Sequence, residues 1–309
     1  MVRHSIFTPV YNRKSELFNL ASHIENLNYP KSDFEWIIID DGSTDGLELE
    51  IYRLKEKYSD ITIRYVKKDN GGIHTAQNCA VRLAEGAFFT RIDSDDYLLP
   101  DALLIKDQYI AQYGADSNVA GVVGLCLNAK DLSIRGVAFP KDVMVSKGYI
   151  LRNKYNVYGD RNFCIKISVM REFLIPEFDD TNWVPEGSTL WLNVDKHYDT
   201  VFVNQPMSVC MEPNENSVTG QLKKETLANV MSGYYGGLHV VNNGRGYYPL
   251  SHRTKCLFRL GLKMLQAKKY SSERYGLLRG FRDLQRFTSK LLYCFFVPMC
   301  IVYYLLLKR

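Results

Sequence analysis

Apolar and polar positions alternate in blocks through the first 115 residues, and the blocks predict strands and helices in turn. Short apolar runs at Ile6–Val10, Glu35–Ile39, Ile61–Val66 and Ala87–Ile92 read as strands. Between them Ser15–Leu27, Asp45–Tyr58 and Ile73–Ala84 space their apolar residues as helices do, and another helix starts near Asp101. The run Trp36-Ile37-Ile38-Ile39 has no polar alternation, which predicts burial on both faces of its strand. Repeated strand–helix units imply a parallel sheet with right-handed crossovers. Ligands of such sheets sit at the carboxyl ends of the strands. The expected class is therefore α/β: a Rossmann-like, mostly parallel sheet flanked by helices.

Further along, Val119–Leu127, Arg161–Lys166 and Thr200–Val203 read as strands. Phe139–Asn153 contains a helix, and Thr189–His197 forms another. From Ser251 the chain turns helical and cationic. Leu277, Leu278, Phe281, Leu284, Phe287 and Leu291 follow helical spacing beside a basic set of Arg279, Arg282, Arg286 and Lys290. That pairing suits a helix lying on an anionic membrane surface. Leu291–Leu307 then holds 17 residues without a charge, with Pro298 in the middle. A full crossing takes about 20 apolar residues, so a shallow or re-entrant anchor at the cytoplasmic face of the membrane is expected. A hydrophobic helix packed on the domain is the other reading. The chain thus divides into regions 1–115, 116–250 and a helical extension, 251–309.

Composition changes the picture in two respects. The seven cysteines are scattered and form no zinc-type pair or disulfide framework, which favours a reducing compartment. The strand-like opening His4–Thr8 predicts no signal peptide. The net charge of +5 is split, with +11 after residue 250 and −6 before it. A mildly acidic body with a basic tail argues against a nucleic-acid partner.

The candidate chemistry sits where the predicted strands end. The first delivers Thr8-Pro9-Val10-Tyr11-Asn12, the second Asp40-Asp41-Gly42-Ser43, the third Lys67-Lys68-Asp69-Asn70-Gly71-Gly72, and the fourth Asp93-Ser94-Asp95-Asp96. Each alone reads as turn chemistry, and the acidic stretch alone as a solvated cap for the helix that follows. Four in succession at equivalent places describe a nucleotide crevice. Asp93 and Asp95, two apart in an extended backbone, can face one point. Hard oxygen ligands of this kind suit Mg²⁺ or Mn²⁺, which take phosphate oxygens as further ligands. Neither G-x-x-x-x-G-K-[ST] nor G-x-G-x-x-G follows the first strand, which removes the ATPase and dinucleotide-dehydrogenase readings.

Pro9-Val10-Tyr11-Asn12, Ile39-Asp40-Asp41-Gly42-Ser43-Thr44-Asp45, Asn70-Gly71-Gly72 with Asn78, and Asp93-Ser94-Asp95-Asp96 followed by Pro100 resemble, in order and spacing, the inverting family 2 glycosyltransferases of GT-A fold. The resemblance covers roughly residues 3–115. It implies that Pro9, Tyr11 and Asp41 line the base and ribose of a nucleotide-sugar donor. It also implies that Asp93 touches the ribose or metal, that Asp95 is the direct metal ligand, and that Asn70, Gly71 and Gly72 let the backbone approach the donor. Residues 116–250 would then bind the acceptor.

Inversion at a sugar carbon needs a base for the acceptor hydroxyl. The family supplies it as an acid at the start of a helix, often Glu-Asp; here the matching place holds Pro185-Glu186-Gly187. Glu186 is the expected catalytic residue, with Asp179 or Asp180 in reserve. No Q-x-x-R-W follows, which favours single-sugar transfer over polymerisation. The expected acceptor is a glycan, lipid-linked, in bacterial surface-polysaccharide assembly. Transfer to a polyprenyl phosphate is the enzyme alternative, and an inactive membrane-bound nucleotide-sugar-binding protein the non-enzyme one.

Overall fold

A computed structural model describes residues 2–212, 220 and 224–307. In chain order the elements are β1 (His4–Val10), α1 (Lys14–Glu25), β2 (Phe34–Asp40), α2 (Leu47–Lys57), β3 (Thr62–Lys67), α3 (Ile73–Leu83), β4 (Phe88–Arg91), β5 (Tyr97–Leu98), α4 (Ala102–Tyr113), β6 (Val119–Asn128), β7 (Val143–Ser146), α5 (Gly148–Lys154), β8 (Arg161–Lys166), α6 (Ile167–Glu172), α7 (Leu190–His197), β9 (Asp199–Cys210), α8 (Leu227–Asn243), α9 (Leu250–Ala267), α10 (Leu277–Asp283) and α11 (Phe287–Leu307). The described residues divide into two compact units, 2–174 with 193–212, and 175–192 with 224–307.

The first unit holds the whole sheet, in the order β3-β2-β1-β4-β8-β6-β9-β5, with β7 also paired to β9. The parallel block expected from the repeated units is found across β3, β2, β1 and β4. β8 joins antiparallel to β4 and to β6, so the complete sheet is mixed. The apolar run of β2 lies at the centre of the parallel block, and every residue of it is buried. Trp36, Ile37, Ile38 and Ile39 have no exposed surface, each contributing roughly 1.5–3 kcal/mol of burial. Trp36 keeps its polar handle by donating from Nε1 to Thr8 Oγ1 at 3.0 Å. Gly86 is required by close approach to β1. A Cβ there would stand 2.6 Å from the Ser5 backbone nitrogen of β1.

Where the structure departs from the expected elements, polar residues had broken the pattern. β9 runs on to Cys210, well past Val203, because Asn204-Gln205-Pro206 interrupts the apolar run without ending the strand. β6 follows it with register shifts around Leu125, which pairs with Pro206.

The helical spacing from Leu277 to Leu291 does not form one helix. α10 stops at Asp283, Leu284 is extended at φ −74° and ψ 127°, and α11 begins at Phe287. The break is held by the Asn242 side chain, whose Nδ2 donates to Asp283 O at 3.2 Å while its Oδ1 accepts from Gln285 N at 3.1 Å. One amide thus satisfies the backbone groups that interrupting the helix sets free. α11 continues through Pro298 for 21 residues, and Phe287–Leu306 is long and apolar enough to cross a membrane by length and composition.

The first unit is also tied by charge at the amino end of β1. Asp107 accepts from Arg3 Nε at 2.6 Å, pairs with His4 Nε2 at 2.9 Å and accepts from Tyr29 Oη at 2.6 Å. Burial pushes its carboxyl up, but the hydrogen bonds of His4, Tyr29 and Arg3 outweigh it and hold the pKa at about 2. A lowered carboxyl contributes stability above its unfolded value and loses it as pH falls through the folded one. Stability should therefore drop by on the order of 2 kcal/mol between pH 4 and pH 2. Asp107→Asn should flatten that segment of a stability-against-pH profile measured by urea unfolding.

Candidate active site

Three strand ends of the parallel block, those of β1, β2 and β3, meet through side-chain hydrogen bonds. Asn12, in left-handed conformation at φ 53°, accepts from Thr44 N at 2.8 Å, and its own N donates to Ser43 Oγ at 2.9 Å. Asp40 accepts from Ser43 N at 2.7 Å and from Tyr65 Oη at 2.7 Å, which fixes the turn after β2. Asp45 accepts from Lys14 N, the first residue of α1, at 3.0 Å, a carboxylate placed where a helix start presents unpaired N–H groups. These bonds join the turn after β1 to the turn after β2.

Asp41 does the same for the loop after β3. Its carboxylate, nearly buried, accepts from Gly71 N at 3.0 Å, Gly72 N at 2.7 Å and Lys68 Nζ at 2.7 Å. Asn70 Nδ2 donates to Asp41 O at 2.9 Å. Gly72 precedes α3 at φ 89°, a conformation that favours glycine, so the carboxylate also faces the amino end of that helix. Gly42, at φ 86°, leaves room for the loop, since a Cβ would stand 3.0 Å from Asn70 N. The structure thus brings four expected donor-site residues, Asp41, Asn70, Gly71 and Gly72, into direct contact. Pro9 lies half-buried in β1 and Tyr11 is exposed just beyond it.

The acidic stretch after β4 is interleaved with cations. Arg91 Nε stands 3.1 Å from Asp93 Oδ1, and Arg13 Nη1 stands 3.4 Å from Asp95 Oδ2. The Asp95 carboxyl lies above its ordinary range, chiefly because it is desolvated and next because Asp93 repels it, with Arg13 opposing. Asp96 is pushed up to about 7 by burial and then by Asp93, although Met211 N donates to it at 2.9 Å. Arg13, Lys68 and Arg91 are the partners that sequence reasoning did not assign. Each lies within a few residues of an expected site residue, but nothing local names the carboxylate it meets.

Asp93 and Asp95 fit a divalent cation. Asp93 Oδ1 is shielded from solvent with Arg91 as its ion-pair partner, and Asp95 is a partly desolvated carboxylate beside a like charge that a divalent cation would relieve. Among the described residues no group of three or more metal-ligating side chains occurs, and a site here would hold two carboxylates. That is the usual protein share of a Mg²⁺ site completed by substrate phosphates and water.

Glu186 belongs to the second unit, in the short 3₁₀ turn Glu186–Ser188. The turn is pinned by Thr189 Oγ1 and Ser188 Oγ, which donate to Pro185 O at 2.9 and 3.1 Å. Glu186 is half-buried, behind fully buried Val184. α8 passes close by: a Cβ on Gly236 would stand 2.9 Å from Pro185 Cγ. Asp180 is taken up structurally. It accepts from Tyr235 Oη at 2.8 Å and Tyr275 Oη at 2.9 Å, and lies 3.6 Å from both Arg274 and Arg279. Asp179 is exposed.

With this geometry in place, residues 5–136 match the family model described as glycosyl transferase family 2. Residues 5–136 are a family 2 glycosyltransferase domain. The glycosyltransferase domain has relatives that share its sequence. The poly(ribitol-phosphate) beta-N-acetylglucosaminyltransferase TarS of Staphylococcus aureus is 28% identical over 140 residues, which is 44% of this chain and 22% of that protein. The GalNAc(5)-diNAcBac-PP-undecaprenol beta-1,3-glucosyltransferase of Campylobacter jejuni is 27% identical over 225 residues, 71% of this chain and 68% of that one. The chain therefore spans about a fifth of the length of TarS and two thirds of the Campylobacter enzyme.

In structure, a crystal form of TarS residues 1–349 superposes with a TM-score of 0.59 at 16% identity, over 88% of this chain and 74% of that one. A mannosyltransferase from Pyrobaculum calidifontis, solved with GDP-Man and Mn²⁺, superposes with a TM-score of 0.52 at 17% identity, over 99% and 88%. These likenesses establish the GT-A-like fold.

Asp41→Ala should release the loop at residues 70–72. Removing a nearly buried carboxylate from three donors should cost about 2–4 kcal/mol in urea unfolding and speed amide exchange at Gly71 and Gly72. Unchanged exchange there would mean that the loop holds itself.

Proposed function

We propose that this protein is a metal-dependent, inverting glycosyltransferase that moves a single sugar from a nucleotide-sugar donor to an acceptor hydroxyl. The observation that carries the reading is the Asp93–Asp95 pair beside the laced loops of β1, β2 and β3. Asp95, raised by burial and by Asp93, stands with it after β4 in a family 2 domain. Pro9, Tyr11 and Asp41 bind the base and ribose, Asp41 chiefly by holding Asn70, Gly71 and Gly72 in place. Asp93 and Asp95 hold Mn²⁺ or Mg²⁺, which neutralises the departing diphosphate when bound. Arg13, Arg91 and Lys68, now paired with carboxylates, are placed to exchange those partners for phosphate oxygens.

Glu186 takes the proton from the acceptor hydroxyl as that oxygen attacks the sugar carbon from the face opposite the leaving group. The relatives support the acceptor class. The Campylobacter enzyme acts on a glycan carried by undecaprenol diphosphate, and TarS on a poly(ribitol-phosphate). A lipid-linked glycan fits the exposed apolar surface of α11, which we read as an anchor at the cytoplasmic face of the membrane, with basic residues ahead of it meeting anionic lipid. Its 21 helical residues allow a crossing as well as the shallower anchor that its charge-free segment alone suggested.

Two substitutions test the chemistry. Asp95→Ala should abolish transfer in an assay with Mn²⁺ while the melting temperature stays near that of the parent; retained turnover would remove Asp95 from the metal site. Glu186→Gln should lower kcat by about 10²–10⁴-fold with donor affinity unchanged. Unaffected turnover would instead favour an acceptor oxygen that is already anionic, as in a polyprenyl phosphate.

A further inference from the structure

The carboxy-terminal unit collects three arginines from three separate places in the chain. Arg245 stands between α8 and α9, Arg253 in the first turn of α9, and Arg286 directly ahead of α11. Arg253 is half-buried, and its Nε is sealed from solvent with no hydrogen-bond partner. Its guanidinium lies below its ordinary range, first through burial and then through the charges of Arg286 and Arg245. Geometry brings the three segments together: Asn242, three residues before Arg245, bonds Asp283 O and Gln285 N just ahead of Arg286, and Tyr248 stacks on His252, next to Arg253, with ring centres 4.6 Å apart. Three acids of this unit pair with other groups: Asp180 with Arg274 and Arg279, Asp283 with Arg279 and Tyr234, Glu225 with Lys269.

Like charges brought together around a desolvated member oppose one another, and an anion between them reverses the sign of the interaction. Guanidinium forks match phosphate geometry in pairs of hydrogen bonds. Both α9 and α11 add the positive ends of long helices to the same neighbourhood. The residues bordering the cluster are apolar and outward-facing: Leu250, three before Arg253, is 66% exposed, and Phe287, next after Arg286, is 74% exposed. From Phe287 the exposed apolar series of Leu291, Phe295 and Met299 runs on along α11. Cations at the foot of an exposed apolar helix occupy the level at which headgroup phosphates lie.

We infer that Arg245, Arg253 and Arg286 form a phosphate-binding site whose ligand is the headgroup of an acidic phospholipid. The lipid part of this inference rests on reading α11 as a membrane anchor; the phosphate part rests on the arginines alone. The site is separate from donor binding and would orient the chain at a membrane through a defined contact rather than a diffuse basic surface.

The test uses the full chain and the variants Arg253→Gln, Arg245→Gln/Arg253→Gln/Arg286→Gln and, as a reference, Lys255→Gln, which removes an exposed charge from the same helix. Flotation is measured with vesicles of phosphatidylcholine alone and of phosphatidylcholine mixed with phosphatidylglycerol. Melting temperature is measured with and without inorganic phosphate. Arg253→Gln should weaken binding to the phosphatidylglycerol vesicles about fivefold, and the triple variant by on the order of a hundredfold, with Lys255→Gln affecting it less. In phosphate-free, low-salt buffer Arg253→Gln should melt no lower than the parent, because a repulsion has been removed. Inorganic phosphate should raise the parent's melting temperature and leave that of the triple variant where it was.

Equal losses from Arg253→Gln and Lys255→Gln would overturn the site in favour of diffuse attraction. Equal phosphate stabilisation of parent and triple variant would overturn it outright. Phosphate stabilisation that needs the arginines, with vesicle binding that does not, would overturn the headgroup assignment and leave free phosphate as the ligand. Should the parent float with neither vesicle type, the anchor reading fails, while the melting measurements still decide whether the arginines bind phosphate.

Discussion

The carboxylate of Asp41 holds the strand-end loops of this fold together. Parallel strands bring their carboxyl ends to one side, but each end then leads into a loop that the sheet's own hydrogen bonds do not restrain. Asp41 supplies the restraint by accepting from Gly71 N, Gly72 N and Lys68 Nζ, so the turn after β2 and the loop after β3 become one structure. Asn12 and Asp45 extend the same lacing to β1 and α1. The glycines are consequences of this arrangement. Gly42 and Gly72 have positive φ, and Gly42 also gives Asn70 space.

Beside this laced region the acidic stretch after β4 carries the opposite kind of electrostatics. Asp41 is satisfied by three of the protein's own donors, whereas Asp95 is raised by burial and by Asp93, with Arg13 at 3.4 Å opposing. A satisfied carboxylate builds a site, and a frustrated one is available to a ligand. That contrast separates the structural role of Asp41 from the unrelieved charge at Asp95, which a pattern of aspartates at strand ends does not do alone. In the second unit Asp180 is likewise taken up structurally, by two tyrosine hydroxyls.

Much of the first unit was legible because its signals are local. The uninterrupted Trp36–Ile39 run, the alternating helices and the acid-rich strand ends each depend on neighbouring residues, and the parallel block and its functional edge follow from them. What escaped was set by partners distant in sequence. The antiparallel pairings of β8 with β4 and β6 depend on long-range register. The continuation of β9 through Pro206 depends on bulged pairing with β6. The end of α10 is imposed by Asn242, some forty residues away, although the apolar spacing runs through the break. Arg13 and Arg91 were overlooked for a related reason: an arginine in a motif-rich stretch gives no hint of which carboxylate it will face.

The most direct measurement of the central claim is calorimetric titration of a panel of nucleotide sugars into the protein, in Mn²⁺ and in EDTA. A cation site of two carboxylates completed by diphosphate oxygens predicts saturable binding of one donor in Mn²⁺, weakened about tenfold or more in EDTA. Donor binding of equal strength in EDTA would contradict it.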